Sequence, residues 1–196
     1  GVAHAAPAVA QQKGSVPQLD RVAWTALMAL EEISNGVRVD RPPVLSAKYV
    51  ALRIEVAALV ARRLSISVSG LSEAWARADA EHQIAVLAAV SQLGVPYRRF
   101  AMQPGVALDC SGLTTFAWGE AGFSLHRNST QQMRSAEPRN ILTAQAGDLV
   151  RYPGHIMMWL GSGLGVIHSP EPGRSVELKV LGSYGLRRST FGDPSE

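Results

Sequence analysis

The periodicity of apolar residues changes once along this chain of 196 residues, near Ile141, and that change limits the fold more than any single motif. Before it, apolar residues recur at steps of three and four. Leu19, Val22, Ala23, Ala26, Leu27, Leu30 and Ile33 mark a helix over 18–35, closed by Asn35-Gly36. Leu45, Tyr49, Leu52, Val56 and Leu59 mark a second over 46–65, and the two stripes predict a helical hairpin across a linker with Arg41-Pro42-Pro43. A third helical segment begins at Ser69-Gly70 and runs to Leu93. It is apolar on most sides near its end, and Gly94-Val95-Pro96 stops it. Beyond Ile141 come short β-rich runs between glycines and prolines, at 148–152, 155–160, 166–169, 176–181 and 186–190. Helices followed by closely connected strands predict an α+β domain with an antiparallel sheet of about five strands.

Composition narrows the class of protein. Hydrophobic residues at 46% against 18% charged are enough for a packed core. The net charge of +3 suits a polyanionic surface, but no basic helix or aromatic-basic array argues for nucleic acid. No run of about 18 apolar residues predicts a membrane span. The small residues of Gly1-Val2-Ala3-His4-Ala5-Ala6-Pro7-Ala8 resemble the remainder of a cleaved signal peptide, so an exported protein is expected. Residues 1–16 read as a flexible lead-in, 17–68 as a helical extension and 69–196 as the main domain.

One cysteine excludes an intrachain disulfide and a cysteine-based zinc site, while leaving a reactive thiol open. Cys110 follows Asp109, a good N-cap, and precedes Leu113, Phe116 and Ala117 at helical spacing. It is therefore expected in the first turn of a helix, where free N–H groups and the helix dipole favour a thiolate. Such a nucleophile needs a base. Of five histidines, His4 lies in the lead-in, His82 reads as a structural residue of the helical part, and His126 sits in a polar loop. His155 opens one predicted strand and His168 lies on the next, across Gly161-Ser162-Gly163, so their imidazoles are expected to be neighbours. Nucleophile, base and orienting group then follow in chain order.

Several motifs in order resemble the NlpC/p60 cell-wall endopeptidases, a papain-like family. They are Leu93-Gly94-Val95-Pro96-Tyr97, Asp109-Cys110-Ser111-Gly112-Leu113, Arg127 with Ser129 and Gln132, Gly147-Asp148-Leu149-Val150, His155, and Ile167-His168-Ser169-Pro170. The likeness covers about residues 80–190. It implies an exported peptidoglycan hydrolase acting on stem peptides, commonly at the bond from D-glutamate to diaminopimelate, with no metal or cofactor. Cys110, His155 and His168 match nucleophile, base and orienter, with Glu171 as the alternative orienter. Tyr97 matches a residue lining the site that helps hold the oxyanion, Asp109 and Ser111 match substrate contacts, and Arg127 is expected to tie the nearby loop. A resting thiolate–imidazolium pair of Cys110 and His155 is expected.

The chain also departs from that pattern. Arg98-Arg99-Phe100-Ala101 replace the usual tryptophan and glycines after the tyrosine, and Met157 replaces a small residue. The spacing from His155 to His168 is one residue long, which suggests a bulge near Leu164-Gly165. Two other functions stay open: a wall-binding or scaffolding protein on the same fold, and a related cysteine amidase or acyltransferase. The helices of 17–65 are expected to brace the catalytic part, a lid over the groove being the alternative.

Overall fold

The structure is a computed structural model that describes residues 20–36 and 45–196. The expected lead-in and the Arg41-Pro42-Pro43 linker lie outside the described residues.

Helices α1 (Arg21–Gly36) and α2 (Ala47–Leu64) pack against each other. Ser46 caps α2 through the Tyr49 N–H, and Arg63 bridges back to Asp20 at 2.8 Å. The expected single helix over 69–93 is two helices, α3 (Val68–Arg77) and α4 (Ala80–Val90). The break has a local cause. Ala78 is extended, Asp79 takes the N-cap position of α4, and Gln145 holds Asp79 through both its backbone N–H and its carboxylate. Helix α4 is buried on every side from His82 to Val90, packed against α1 and against the cysteine-bearing helix α5 (Cys110–Glu120). Tyr49 and Arg53 of α2 both donate to the buried Gln83 Oε1, at 2.6 and 3.2 Å.

A two-stranded ribbon, β1 (Met102–Gln103) with β2 (Ala107–Leu108), delivers the chain to α5. After α6 (Ser129–Ser135) come β3 (Glu137–Arg139), β4 (Leu149–Tyr152), β5 (His155–Trp159), β6 (Gly165–His168), β7 (Glu177–Val180), α7 (Ser183–Arg187) and β8 (Thr190–Asp193). The antiparallel sheet has six strands in the order β3-β8-β4-β5-β6-β7. Two differences from expectation lie at its margins. The run 186–190 begins as the end of α7, which the Leu186 N–H bond to the Gly182 carbonyl helps to form, passes through a turn at Arg188, and becomes strand only at Thr190. The added strand β3 contains Pro138, which removes a ladder donor and confines the segment to an edge.

Side-chain alternation gives the sheet two faces. Leu149, Ile156, Met158 and Ile167 join the main core with α2, α4 and α5, while Val150, Met157, Trp159, Val166 and Phe191 form a second cluster on the other face. The main core runs without interruption from Val22 of α1 to Val176 beside β7, so the N-terminal helices share it with the sheet. They reach the sheet at the β5–β6 turn: Trp75 donates to the Leu160 carbonyl at 2.9 Å, and Ile66 abuts Gly163. Across the molecule, the buried His82 of α4 meets Asp148 at 3.0 Å and Asp193 at 3.4 Å, joining α4 to β4 and β8.

Candidate active site

The N-terminus of α5 is shaped by hydrogen bonds that use almost every polar atom near Cys110. Asp109 caps the helix by accepting from the Gly112 N–H at 2.7 Å, and its other oxygen accepts from the Phe100 N–H at 2.9 Å. Arg127 donates to Asp109 and to the Ser111 hydroxyl, both at 2.7 Å, and to the Ala101 carbonyl at 3.1 Å. That carbonyl passes so close to the helix that a Cβ on Gly112 would lie 2.3 Å from it, which is why the position after Ser111 must be glycine. Gln132 of α6 locks the same turn from behind, bonding Ser111, Thr114 and Thr115. Cys110 itself is half-buried.

Phe100 occupies a left-handed backbone conformation (φ 65°) with 85% of its surface exposed. A residue with a Cβ carries strain there, on the order of 1 kcal/mol, that a glycine would not. With Asp109, Ser111, Arg127 and Asn128 it borders a depression of about 330 Å³.

The histidines come from the sheet. The registers Met158↔Ile167 and Trp159↔Val166 continue without a bulge, so the expected irregularity is absent from the ladder. The extra residue is absorbed in the turn, where Gly161, Gly163 and Leu164 all have positive φ. His155 Nε2 lies 2.8 Å from His168 Nδ1 with the rings 70° apart, and His168 Nε2 lies 3.2 Å from Glu177 Oε1. Glu171 plays no part in this chain: it pairs with Arg174 at 3.7 Å, while Arg174 also holds Glu177. Glu177 escaped the sequence reading, although it sits opposite His168 in the β6–β7 register. Pairing those two predicted strands would have found it.

The network fixes the tautomers. A carboxylate only accepts, so His168 Nε2 carries the proton given to Glu177. His168 Nδ1 is then an acceptor, His155 Nε2–H donates to it, and His155 Nδ1 is left as the free lone pair. Burial, then the charges of His168 and Lys179, hold the His155 pKa down to about 4. At pH 7 His155 is therefore a neutral base, and the expected resting imidazolium is not favoured. Burial likewise pushes His168 down against the pull of Glu177.

Sheet and helix meet at this point. Ser169, next to His168, donates its hydroxyl to the Leu108 carbonyl, two residues before Cys110, at 2.8 Å. Tyr97 bridges to Leu108 and donates its N–H to the Arg174 carbonyl at 2.8 Å. The same loops thus hold Tyr97, the start of α5 and the ends of β6 and β7 together. Burial, then the nearby Cys110 and Asp109, raises the Tyr97 pKa, so its hydroxyl stays a proton donor.

His82, Asp148 and Asp193 are the one trio of metal-ligand type among the described residues close enough to share an ion. Their oxygens are already engaged by Arg139, Ser195 and the Gln145 N–H, which makes the trio a buried ion-pair cluster. Burial opposes its imidazolium, yet the three carboxylates of Asp148, Asp193 and Asp79 outweigh that and keep the His82 pKa above its ordinary value.

A lone cysteine at the start of a helix that packs on an antiparallel sheet, with a histidine pair carried by that sheet, is the papain-like arrangement of an α+β domain. The family model described as NlpC/P60 family matches residues 94–193. A probable endopeptidase of Corynebacterium glutamicum is 40% identical over 90 residues, 44% of this chain and 42% of that protein. A probable endopeptidase of Mycobacterium tuberculosis is 31% identical over 111 residues, 55% of this chain and 28% of that protein. The solved structure of an NlpC/P60 family protein from Bacillus cereus superposes with a TM-score of 0.52 at 27% identity, over 57% of this chain and 39% of that one. The chain belongs to the NlpC/P60 family. It spans less than half the length of these relatives.

Proposed function

We propose that this chain is a cysteine peptidase that hydrolyses peptidoglycan stem peptides outside the cytoplasm, with Cys110 as nucleophile, His155 as base and His168 as its orienter. The observation that carries the reading is the ordered series Glu177–His168–His155 on the sheet against which helix α5 packs, which leaves one His155 ring nitrogen with a free lone pair. The probable endopeptidases among its relatives support cleavage of a peptide bond.

In this mechanism His155 Nδ1 accepts the thiol proton as sulfur attacks the amide carbonyl. The Cys110 N–H, at the helix N-terminus, and the Tyr97 hydroxyl donate to the oxyanion. The tetrahedral intermediate expels the amine, which takes the proton from His155. Water, deprotonated by the same nitrogen, then hydrolyses the thioester and returns the proton to sulfur. Arg127 keeps Asp109 and Ser111 in place on the acyl side. The bond from D-glutamate to diaminopimelate is the substrate bond proposed, and residues 17–68 act as a brace for the catalytic part.

Product analysis on purified stem peptides tests the reading. Release of the fragment with a free diaminopimelate amine, lost in Cys110→Ala, is expected. Full activity in Cys110→Ala overturns it, and binding of wall fragments without turnover by the wild type identifies a scaffolding protein instead.

A further inference from the structure

Because His155 gives its proton to the departing nitrogen, the residue that carries that nitrogen must rest against His155. A cavity of about 300 Å³ opens there, on the side of the sheet that holds the second cluster. His155, His168, Met157, Tyr152, Lys179 and Tyr184 are among the residues that line it. No carboxylate among the described residues lines it.

Lys179 follows Glu177 by two positions on β7, so both project from the same face. Glu177 is taken up by His168 and Arg174, whereas Lys179 forms no ion pair among the described residues. A second cation stands at the rim. Arg188 donates to the hydroxyls of Tyr152 at 2.8 Å and Tyr184 at 2.7 Å, and its guanidinium lies 5.0 and 5.3 Å from their ring centres. Each hydroxyl accepts from Arg188 and so keeps its own O–H free to donate. A free ammonium, two oriented hydroxyls and no competing acid are the chemistry of an anion receptor.

We infer that this cavity holds the leaving residue of the substrate and that Lys179 recognises a free carboxylate on it, so that acidic leaving residues are preferred over their amides. The inference rests on the proposed function and adds a specificity determinant to it. It also accounts for a cation placed where it opposes catalysis. Lys179 helps to disfavour protonation of His155 and His168. A bound carboxylate neutralises it, so the base gains proton affinity once the correct substrate is seated. His168, Glu177, Arg174, Lys179, Arg188 and the two tyrosines are the titratable and charged groups around this response.

The test uses Cys110→Ala and Cys110→Ala/Lys179→Gln, with the His155 ring resonances followed by NMR. The probes are γ-D-glutamyl-meso-diaminopimelate and the same peptide with the diaminopimelate carboxyls amidated. The acid peptide is expected to bind about tenfold more tightly than the amide, the size of one charge-assisted hydrogen bond. It should also raise the His155 titration midpoint, which the amide does not. Lys179→Gln should bring the ratio close to one, abolish that shift, and raise the midpoint of the free protein. An unchanged ratio in Lys179→Gln, equal binding of the two peptides to Cys110→Ala, or no binding of either overturns the inference. Cleavage by the wild type is read separately: if it leaves both peptides intact while the Lys179-dependent preference persists, the functional reading fails and the recognition site stands.

Discussion

Extending the register Met158↔Ile167 by one residue sets His168 level with Met157 and diagonal to His155, and His155 Nε2 still lies 2.8 Å from His168 Nδ1. Diagonal partners are far enough apart that contact depends on side-chain angle, so His168 needs a second hold. Glu177 supplies it. Glu177→Gln is expected to lower kcat tenfold to a hundredfold, on the order seen when orienting partners are lost, with little change in KM. The amide can donate to His168 Nε2 and select the opposite tautomer, which a purely structural loss would not do. Steady-state kinetics with a pH profile checks this: loss confined to KM would contradict the orienting role.

The low His155 pKa sets the acid limb of activity. The unprotonated imidazole is the active form, so kcat/KM should fall only as pH drops through about 4, not near the usual histidine value. Stability carries the same sign. The folded value is depressed, so the unfolded chain binds the extra proton between about pH 6.5 and 4, and folding free energy is lost on acidification across that window. A rate profile with its limb near 6.5 would show that substrate-free burial does not govern the base.

Two glycines of α5 should respond in opposite ways. At Gly112 an added methyl meets the Ala101 carbonyl, whereas Gly119 has open space around it. Gly112→Ala should cost about 1–3 kcal/mol through displaced backbone. Gly119→Ala should gain up to about 1 kcal/mol from helix propensity. Urea denaturation of both variants measures the contrast.

Leu64 of α2 and Ile66 just after it meet the sheet at Gly165 and Gly163, in the turn at the opposite end of the β5–β6 hairpin from His155. That position suits a brace and not a lid. A chain starting at Ser69 is expected to lose cooperative unfolding and to show no gain in turnover, since it uncovers the apolar face of α4. Tyr49→Phe gives the gentle version: loss of the buried bond to Gln83 should cost about 1 kcal/mol at full activity. Higher turnover of either variant would restore the inhibitory reading.

What could be read in the sequence was what depends on neighbours along the chain. Asp109 capping the helix of Cys110 and His155 opening a strand follow from local rules, whereas the helix expected to run to Leu93 ends at Val90 and passes into turns before Gly94. The places of β3 and Glu177 depend on which strands pair, and short apolar runs do not specify partners. Pro138 fits β3 only because that strand lies at the edge of the sheet, a place the local sequence does not mark. The break at Ala78 was hidden for a similar reason: Gln145, 66 residues from Asp79, helps to make it. The pKa of His155 depends on Lys179 and on burial, both set by the folded sheet.

The place of β8 between β3 and β4 bears on biosynthesis. Residues 190–193 are the last strand of the sheet to be synthesised, yet β3 pairs with nothing else and Asp193 completes the cluster around His82. A nascent chain that has emerged only as far as β7 carries the cysteine and both histidines on an unfinished sheet. The order of translation therefore leaves the pairing of β3 and the Asp193 side of the His82 cluster to be completed only after Cys110, His155 and His168 have been made.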